Sequence, residues 1–272
     1  MLLINGTAAD NIPAIDRGLA YGDGVFRTLR AVDGKPLHWA RQYARLAHDC
    51  ARLTLPCPAE PALWNEVCRA GAAYPYTAIK IIVTRGSGPR GYAPPEAPAP
   101  LRVVISSPYQ PQAVEEGIHA HLCKLRLSHQ PALAGVKHLN RLENVLARAE
   151  WQDPEIREGL LLDHDGNAIG GTMSNLFIVE DGALLTPDVS RCGVAGVTRD
   201  RVMAIAQTLG IACRVENCAL QRLRDASEVF FVNSLIALWP LRRLEQQLWR
   251  VGACSRQIQN ALASGDAEST SA

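Results

Sequence analysis

Residues 131–151 read PALAGVKHLNRLENVLARAEW. Small residues lead to a lysine, and apolar residues then recur at helical spacing, which predicts an amphipathic helix over Leu139–Trp151. Lys137 stands just ahead of that helix, flanked by Val136 and Leu139. A lysine held in one place and partly desolvated has a lowered pKa and becomes a nucleophile. The competing reading is an ordinary lysine near a helix N-terminus, slightly disfavoured by the helix dipole. Only four of the 28 basic residues are lysine. Lys35 follows Asp33-Gly34 in a predicted hairpin turn and should be solvated. Lys80 and Lys124 lie in strand-like runs and should point to the polar face. By elimination, Lys137 is the candidate if the chemistry needs an amine.

Working outward, IHAHLCKLRL (118–127) alternates as a strand, and GLLLDHDGNAIGG (159–171) and SNLFIVEDGALLTP (174–187) read as hairpins. Thr198–Leu209 reads as a helix with Thr198 as its N-cap. A strand over Ile211–Glu216, a short helix, the strand EVFFVN and a helix over Gly252–Ala263 follow. Gly265–Ala272 is polar and is expected to fray. Upstream, LLING and VFRTLRAVDGKPL read as strands with an Asp-Gly turn. Trp39, Tyr43, Leu46, Cys50 and Leu53 share one face of a predicted helix over His38–Leu53. Pro61–Ala72 is a second helix, with proline near its start. AIKIIVTR and LRVVISS are strands split by a Gly/Pro-rich loop over Gly86–Pro100. Hairpins mixed with helices, without strict βαβ alternation, argue for an α+β fold in two parts. The expected division is a small domain over 1–107, a linker over 108–117 and a larger domain over 118–272. No internal repeat is evident.

The chain has 272 residues, is 47% hydrophobic and carries a formal net charge of +1. That composition excludes a disordered chain, and no global basic field exists to attract nucleic acid or an anionic membrane surface. The first ten residues lack the basic and apolar regions of a signal peptide. The most apolar stretch, Val229–Leu241, is too short to span a bilayer. A soluble, cytoplasmic protein is expected. The eight cysteines form no CxxC pair and read as buried reduced thiols. The seven histidines have no metal-ligand spacing, so no dedicated metal site is expected. Gly86, Gly88 and Gly91 satisfy GxGxxG after a strand, but YAPPEAPAP follows and cannot open the helix that a dinucleotide site needs. With Arg85, Arg90 and Tyr92 in it, this loop reads as a carboxylate-binding element or as a plain flexible loop.

GVKHLNRLENVLARAEW resembles the lysine segment of the fold-type IV pyridoxal-phosphate enzymes, which include branched-chain and D-amino acid aminotransferases and the aminodeoxychorismate lyases. The resemblance runs through LINGT, DRGLAYGDGVFRTLR, the ARL of the first helix, TRGSGPRGY, GTMSNLF, GVAGVTRD and the NS before WPL. The RGxG-x-RGY loop and KHLNRLE are most similar to the lyase branch. The resemblance implies a small N-terminal α/β domain, a larger C-terminal barrel-like domain, bound pyridoxal 5'-phosphate and a homodimer. It implies that Lys137 is the Schiff-base lysine, assisted by Thr28. Arg45, Val197, Thr198 and Ser234 would hold the cofactor phosphate. Arg90, Tyr92 and Arg85 would meet substrate carboxylates. The implied activity is release of 4-aminobenzoate and pyruvate from 4-amino-4-deoxychorismate. An aminotransferase, a cofactor-binding relative with little activity, and an interaction protein without cofactor are the alternatives.

One position departs from the family pattern. The glutamate expected five residues before Asn175, which pairs with the pyridine nitrogen, is Gly170 here. Without it the cofactor's electron sink weakens. Transamination should suffer more than an elimination driven by formation of an aromatic product.

Overall fold

Alternation in the first half builds strands with one buried edge of side chains, and in the second half strands buried on both faces. The computed structural model describes residues 1–110, 112, 114 and 116–271. Chain contacts divide it into two compact units.

The first unit comprises residues 1–111, 136–140 and 266–272. Its strands are β1 (Leu2–Ile4), β2 (Thr7–Ala8), β3 (Gly24–Val32), β4 (Lys35–Pro36), β5 (Tyr76–Thr84) and β6 (Leu101–Pro108). They form an antiparallel sheet in the order β2-β1-β6-β5-β3-β4. Its helices are α1 (Arg17–Tyr21), α2 (Trp39–Arg52) and α3 (Glu60–Gly71). Proline at the start of α3 suits a position whose N–H needs no partner. In β3, Val25, Leu29 and Ala31 join Leu46, Cys50, Leu63 and Val67 in the core, while Phe26, Thr28 and Arg30 occupy the opposite face. Leu46, 1% exposed, is a position where truncation to alanine costs about 2–5 kcal/mol.

The second unit comprises residues 112–135 and 141–265. Its strands are β7 (Ile118–Leu127), β8 (Ile156–Asp163), β9 (Ala168–Gly171), β10 (Asn175–Glu180), β11 (Ala183–Pro187), β12 (Cys213–Glu216), β13 (Glu228–Asn233), β14 (Ala237–Leu244) and β15 (Gln247–Leu248). The order β12-β11-β10-β13-β14-β7-β8-β9, with β9 also paired to β10, closes six strands into a barrel. Closure removes the exposed edges an open sheet would keep. Leu176 and Ile178 of β10 point into one core with Leu160, Leu162, Phe231 and Trp239. Phe177 and Val179 point the other way, against α5 (Val197–Thr208) and the long α7 (Ala253–Ser271). The Phe177 and Phe230 rings stack with centroids 5.3 Å apart. Helices α4 (Leu142–Arg148) and α6 (Leu220–Asp225) complete the unit.

Three expectations change. The helix after Lys137 begins at Leu142, not Leu139, and ends at Arg148. The reason is that 136–140 is extended and closes the edge of β3: the Phe26 amide donates to the Lys137 carbonyl (2.9 Å) and the Leu139 amide to the Gly24 carbonyl (3.0 Å). The lysine segment thus belongs to the first unit, although its sequence position is in the second half. The tail is not frayed: helix α7 continues through Ser271, Asp266 pairs with Arg30 and His38, and Lys35 donates to the Thr270 carbonyl. The expected linker 108–117 includes Pro111, Ala113 and Glu115, which lie outside the described residues, as does Ala272.

Candidate functional site

The first unit fixes Lys137 through its backbone. Asp49, on the last full turn of α2 and fully buried, accepts from the Lys137 amide (3.1 Å) and pairs with the buried Arg27 of β3. The lysine segment is therefore tied to a helix on one side and a strand on the other. The half-buried Lys137 side chain lays its ammonium over the Phe26 ring, 4.4 Å from the centroid. Thr28 lies two residues along β3 on the same face as Phe26, opposite the exposed Lys80. Arg45 is half-buried one turn before Asp49 on the same face of α2.

The glycine-rich loop is built rather than loose. A side chain at Gly86 would strike the Ala99 carbonyl oxygen at 2.0 Å, and Gly86 has φ +82°. Gly88 is crossed by the Arg17 side chain, whose Cδ would lie 2.9 Å from an added Cβ. The buried Arg17 donates to the carbonyls of Gly91 (3.0 Å) and Tyr92 (2.9 Å) and to Asp23 (2.9 Å). Tyr21 accepts from the Gly91 amide (3.1 Å), and its ring meets Tyr92 edge-on at 5.4 Å. Arg90 and Tyr92 are left exposed at the loop's surface.

Arg85 requires correction as a carboxylate ligand. It is 5% exposed. Its Nε donates to Asp23 (2.8 Å), and its Nη atoms donate to the carbonyls of Thr54 (2.9 Å) and Leu53 (2.8 Å). This arginine braces the turn after α2. Burial raises the Asp23 pKa, but hydrogen bonds and charge from Arg85 and Arg17 outweigh it and hold the carboxyl below its ordinary value.

In the second unit, Thr198 is not the cap of α5. Gly196 is the N-cap and supplies no side-chain bond, while Thr198 is buried in the first turn. Gly196 is required: its amide donates to the Asn175 side chain (3.1 Å), and an added Cβ would sit 2.2 Å from that oxygen. Gly196 therefore brings no capping side chain to the amides of Val197 and Thr198, and a helix N-terminus of this kind suits a phosphate. Ser234 follows β13, in a turn where Asn233 Oδ1 accepts from the amides of Leu235 and Ile236. Within this unit, hydroxyls and backbone amides form a donor set whose chemistry fits the phosphate of pyridoxal phosphate, and the amine of Lys137 in the first unit is of the type that its carbonyl end takes. The ring nitrogen is the exception. Gly170 is a buried member of β9 paired with Leu161 and Asn175, and it offers no acid.

A buried carboxyl, that of Glu158, stands at the neighbouring glycine. It packs against Gly171, where an added Cβ would lie 2.6 Å from its Cδ and Oε2. Because neighbouring strand residues face opposite ways, Glu158 lies on the other side of β9 from the Gly170 Cβ direction. Its Oε1 accepts from the amides of Gly159 (2.8 Å) and Thr172 (2.9 Å) and from the Thr172 hydroxyl (2.6 Å). Its Oε2 accepts from Ser174 (2.6 Å). Elsewhere, His129, Asp163 and Cys192 gather within 4.8 Å. Both His129 ring nitrogens are engaged there, with Asp163 (3.0 Å) and Arg191 (2.8 Å).

Sequence reasoning passed over Asp49, Arg27, Arg17, Asp23 and Glu158. The available signal was charge embedded in apolar sequence, as in AHDCARL and REGLLLD, or repeated in DRGLAYGD.

The Amino-transferase class IV family matches residues 24–244. An aminodeoxychorismate lyase of Vibrio harveyi is 33% identical over 96% of this chain and 99% of its own. The crystal structure of 4-amino-4-deoxychorismate lyase from Pseudomonas aeruginosa superposes with a TM-score of 0.93 at 42% identity, covering 97% of this chain and 98% of that one. A branched-chain-amino-acid aminotransferase of Escherichia coli K12 is 26% identical over 92% of this chain and 86% of its own. The family depends on pyridoxal phosphate.

Proposed function

The chain belongs to the aminotransferase class IV family, and from that premise we propose that it is a pyridoxal-phosphate-dependent lyase converting 4-amino-4-deoxychorismate to 4-aminobenzoate and pyruvate. The observation that carries the lyase over the aminotransferase reading is the joint occurrence of a pinned RGSGPRGY loop and of Gly170 in place of an acid. Similarity to lyases over nearly the whole chain supports it.

In this reading Lys137 is the covalent attachment point, and Arg45, the first-turn amides at Val197 and Thr198, and Ser234 bind the phosphate. The cofactor supplies a carbonyl for the substrate amine and a ring that takes up electrons as the neighbouring bond breaks. Lys137, once displaced by the substrate, is the base that removes the proton from the carbon bearing nitrogen. Asp49 and Arg27 keep its backbone fixed, so the amine swings on a rigid base. Thr28, on the Phe26 face, relays a proton toward the leaving pyruvate. Arg90 and Tyr92 receive the substrate carboxylates.

A homodimer is part of the proposal. Leu142, Val145 and Leu146, at i, i+3 and i+4 on α4, are 67%, 60% and 54% exposed, an apolar stripe that suits a second copy of the chain. A cytoplasmic location is also part of it, because a dicarboxylate substrate does not cross a bilayer unaided. Among the described residues no helix is long and apolar enough to cross a membrane.

The test is direct. Purified protein should release 4-aminobenzoate without an α-keto acid, and borohydride followed by peptide mapping should label Lys137. Label on Lys35, Lys80 or Lys124, or turnover that requires a keto acid, refutes the reading.

A further inference from the structure

Residues 193–196 lead into α5 and set where its first amides stand. A side chain from another strand grips this turn. Asn175, the first residue of β10, is 8% exposed. Its Nδ2 donates to the Val194 carbonyl (2.6 Å), and its Oδ1 accepts from the Gly196 amide (3.1 Å). Only this orientation of the side-chain amide satisfies both groups, since a flipped one would set oxygen against oxygen and N–H against N–H. We propose that Asn175 is the positioning residue for the phosphate end of the cofactor site: it fixes the turn that aims the Val197 and Thr198 amides. This rests on the pyridoxal-phosphate reading above.

The turn has a second hold, made by backbone alone. The Gly135 amide donates to the Gly193 carbonyl (3.0 Å), and the Gly135 carbonyl accepts from the Ala195 amide (2.9 Å). Gly135 stands two residues ahead of Lys137 in the sequence. The turn is therefore shared between Asn175 and the chain that enters the lysine segment. The backbone of Asn175 sets two further positions. It pairs with Val232 of β13, two residues before Ser234, and with Gly170 of β9. One residue thus references the entry of α5, the strand that leads to Ser234 and the position that lacks an acid.

The residue types fit this role. Aspartate at 175 would set a carboxylate oxygen against the Val194 carbonyl and add a negative charge at the helix terminus that a phosphate is to occupy. An aliphatic residue would supply neither the donor nor the acceptor. Gly196 belongs to the same device. Its φ of −83° is open to any residue, so glycine is there for room: an added Cβ would sit 2.2 Å from the Asn175 oxygen.

The experiment titrates the full-length apo protein with pyridoxal 5'-phosphate and, separately, with pyridoxal, which offers the same carbonyl to Lys137 but carries no phosphate. Absorbance of the bound carbonyl compound reads both affinities. Wild type should prefer the phosphate ester. Asn175→Ala should lower that preference about tenfold, the equivalent of about 1.4 kcal/mol, and leave pyridoxal binding unchanged. Asn175→Asp should lower it further. Hydrogen exchange at the Gly135, Ala195 and Gly196 amides should quicken in both. Gly196→Ala is an independent route, because it displaces the Asn175 side chain without removing it, and it should lose the same preference. In the Asn175→Ala background Gly196→Ala should cost nothing more, since the oxygen it would strike is gone. A preference retained in Asn175→Ala and Gly196→Ala, an equal loss for both ligands, or additive losses in the double variant overturns the proposal. A wild type that binds pyridoxal as tightly as its phosphate overturns the phosphate site on which the proposal rests. None of these readouts depends on turnover.

Discussion

Two glycine-rich loops, 86–92 in the first unit and 170–174 in the second, are each pinned by one buried charged side chain, but of opposite sign. Arg17 holds the first through carbonyls, at Gly91 and Tyr92. Glu158 holds the second through an amide and two hydroxyls, at Thr172 and Ser174. In both, a glycine is present because the pinning side chain passes over it: Gly88 beneath Arg17 and Gly171 beneath Glu158. The loops differ in what they leave over. The first leaves an arginine and a tyrosine exposed at its surface, ready for an anion. The second leaves a neutral strand at Gly170, where a carboxylate was expected. A buried charge can therefore shape a backbone without supplying the site's own charge.

The largest effect should come from Glu158. Glu158→Ala strands four protein donors and should cost about 3–5 kcal/mol of unfolding free energy, since buried unsatisfied groups each cost about 1–3 kcal/mol. Urea unfolding measures this. Glu158→Gln should recover part of the loss, because its carbonyl oxygen still accepts from Thr172. Wild-type stability in the alanine variant would break the parallel between the loops.

Arg17→Met should loosen the first loop. Hydrogen exchange over 86–92 should rise, with a stability loss of about 2–3 kcal/mol from a charge-assisted network. The variant also leaves Asp23 with Arg85 alone. Asp23 has a folded pKa below its unfolded one, so its contribution is present above the unfolded carboxylate pKa and fades as pH falls through the folded pKa. The acid limb of the stability profile should therefore move to higher pH in Arg17→Met, as followed by circular dichroism between pH 5 and pH 2. An unmoved acid limb would show that Arg85 alone sets Asp23.

Arg90→Ala separates shape from charge. Stability should stay within about 0.5 kcal/mol, as for other exposed substitutions. The KM for the dicarboxylate should rise about tenfold, the equivalent of about 1.4 kcal/mol, with kcat and cofactor absorbance unchanged. Loss of cofactor with intact substrate saturation would contradict the role given to the loop.

Gly170→Glu should have the smallest effect on lyase turnover and raise transamination, read as the pyridoxamine form after mixing with an amino acid. An added Cβ meets the Ser174 carbonyl oxygen at 2.8 Å, so the strand must shift by a few tenths of an ångström. Brisk transamination by the wild type would show that the missing acid is unimportant.

The periodic parts of the chain were legible. The spans of α2 and α3, the strands around 78–85 and 101–107 and the barrel hairpins follow from apolar spacing, which depends on residues near in sequence. Lysine scarcity and the GVKHLNRLE segment singled out Lys137, and Gly170 was visible as a missing acid. Long-range pairing decided the rest. Leu139–Arg141 would continue a helix by pattern, but the edge amide of β3 at Phe26 needs an acceptor, and the Lys137 carbonyl supplies it. Arg85 looked like a ligand because sequence cannot show that the Leu53 and Thr54 carbonyls, about thirty residues away, each accept from one of its Nη atoms. Gly196 took the cap of α5 from Thr198 because the Asn175 side chain leaves no room for a Cβ. Local propensity sets which elements form. Which polar group each buried charge satisfies is fixed only when distant segments meet, because a buried donor or acceptor must find its partner wherever the fold brings one.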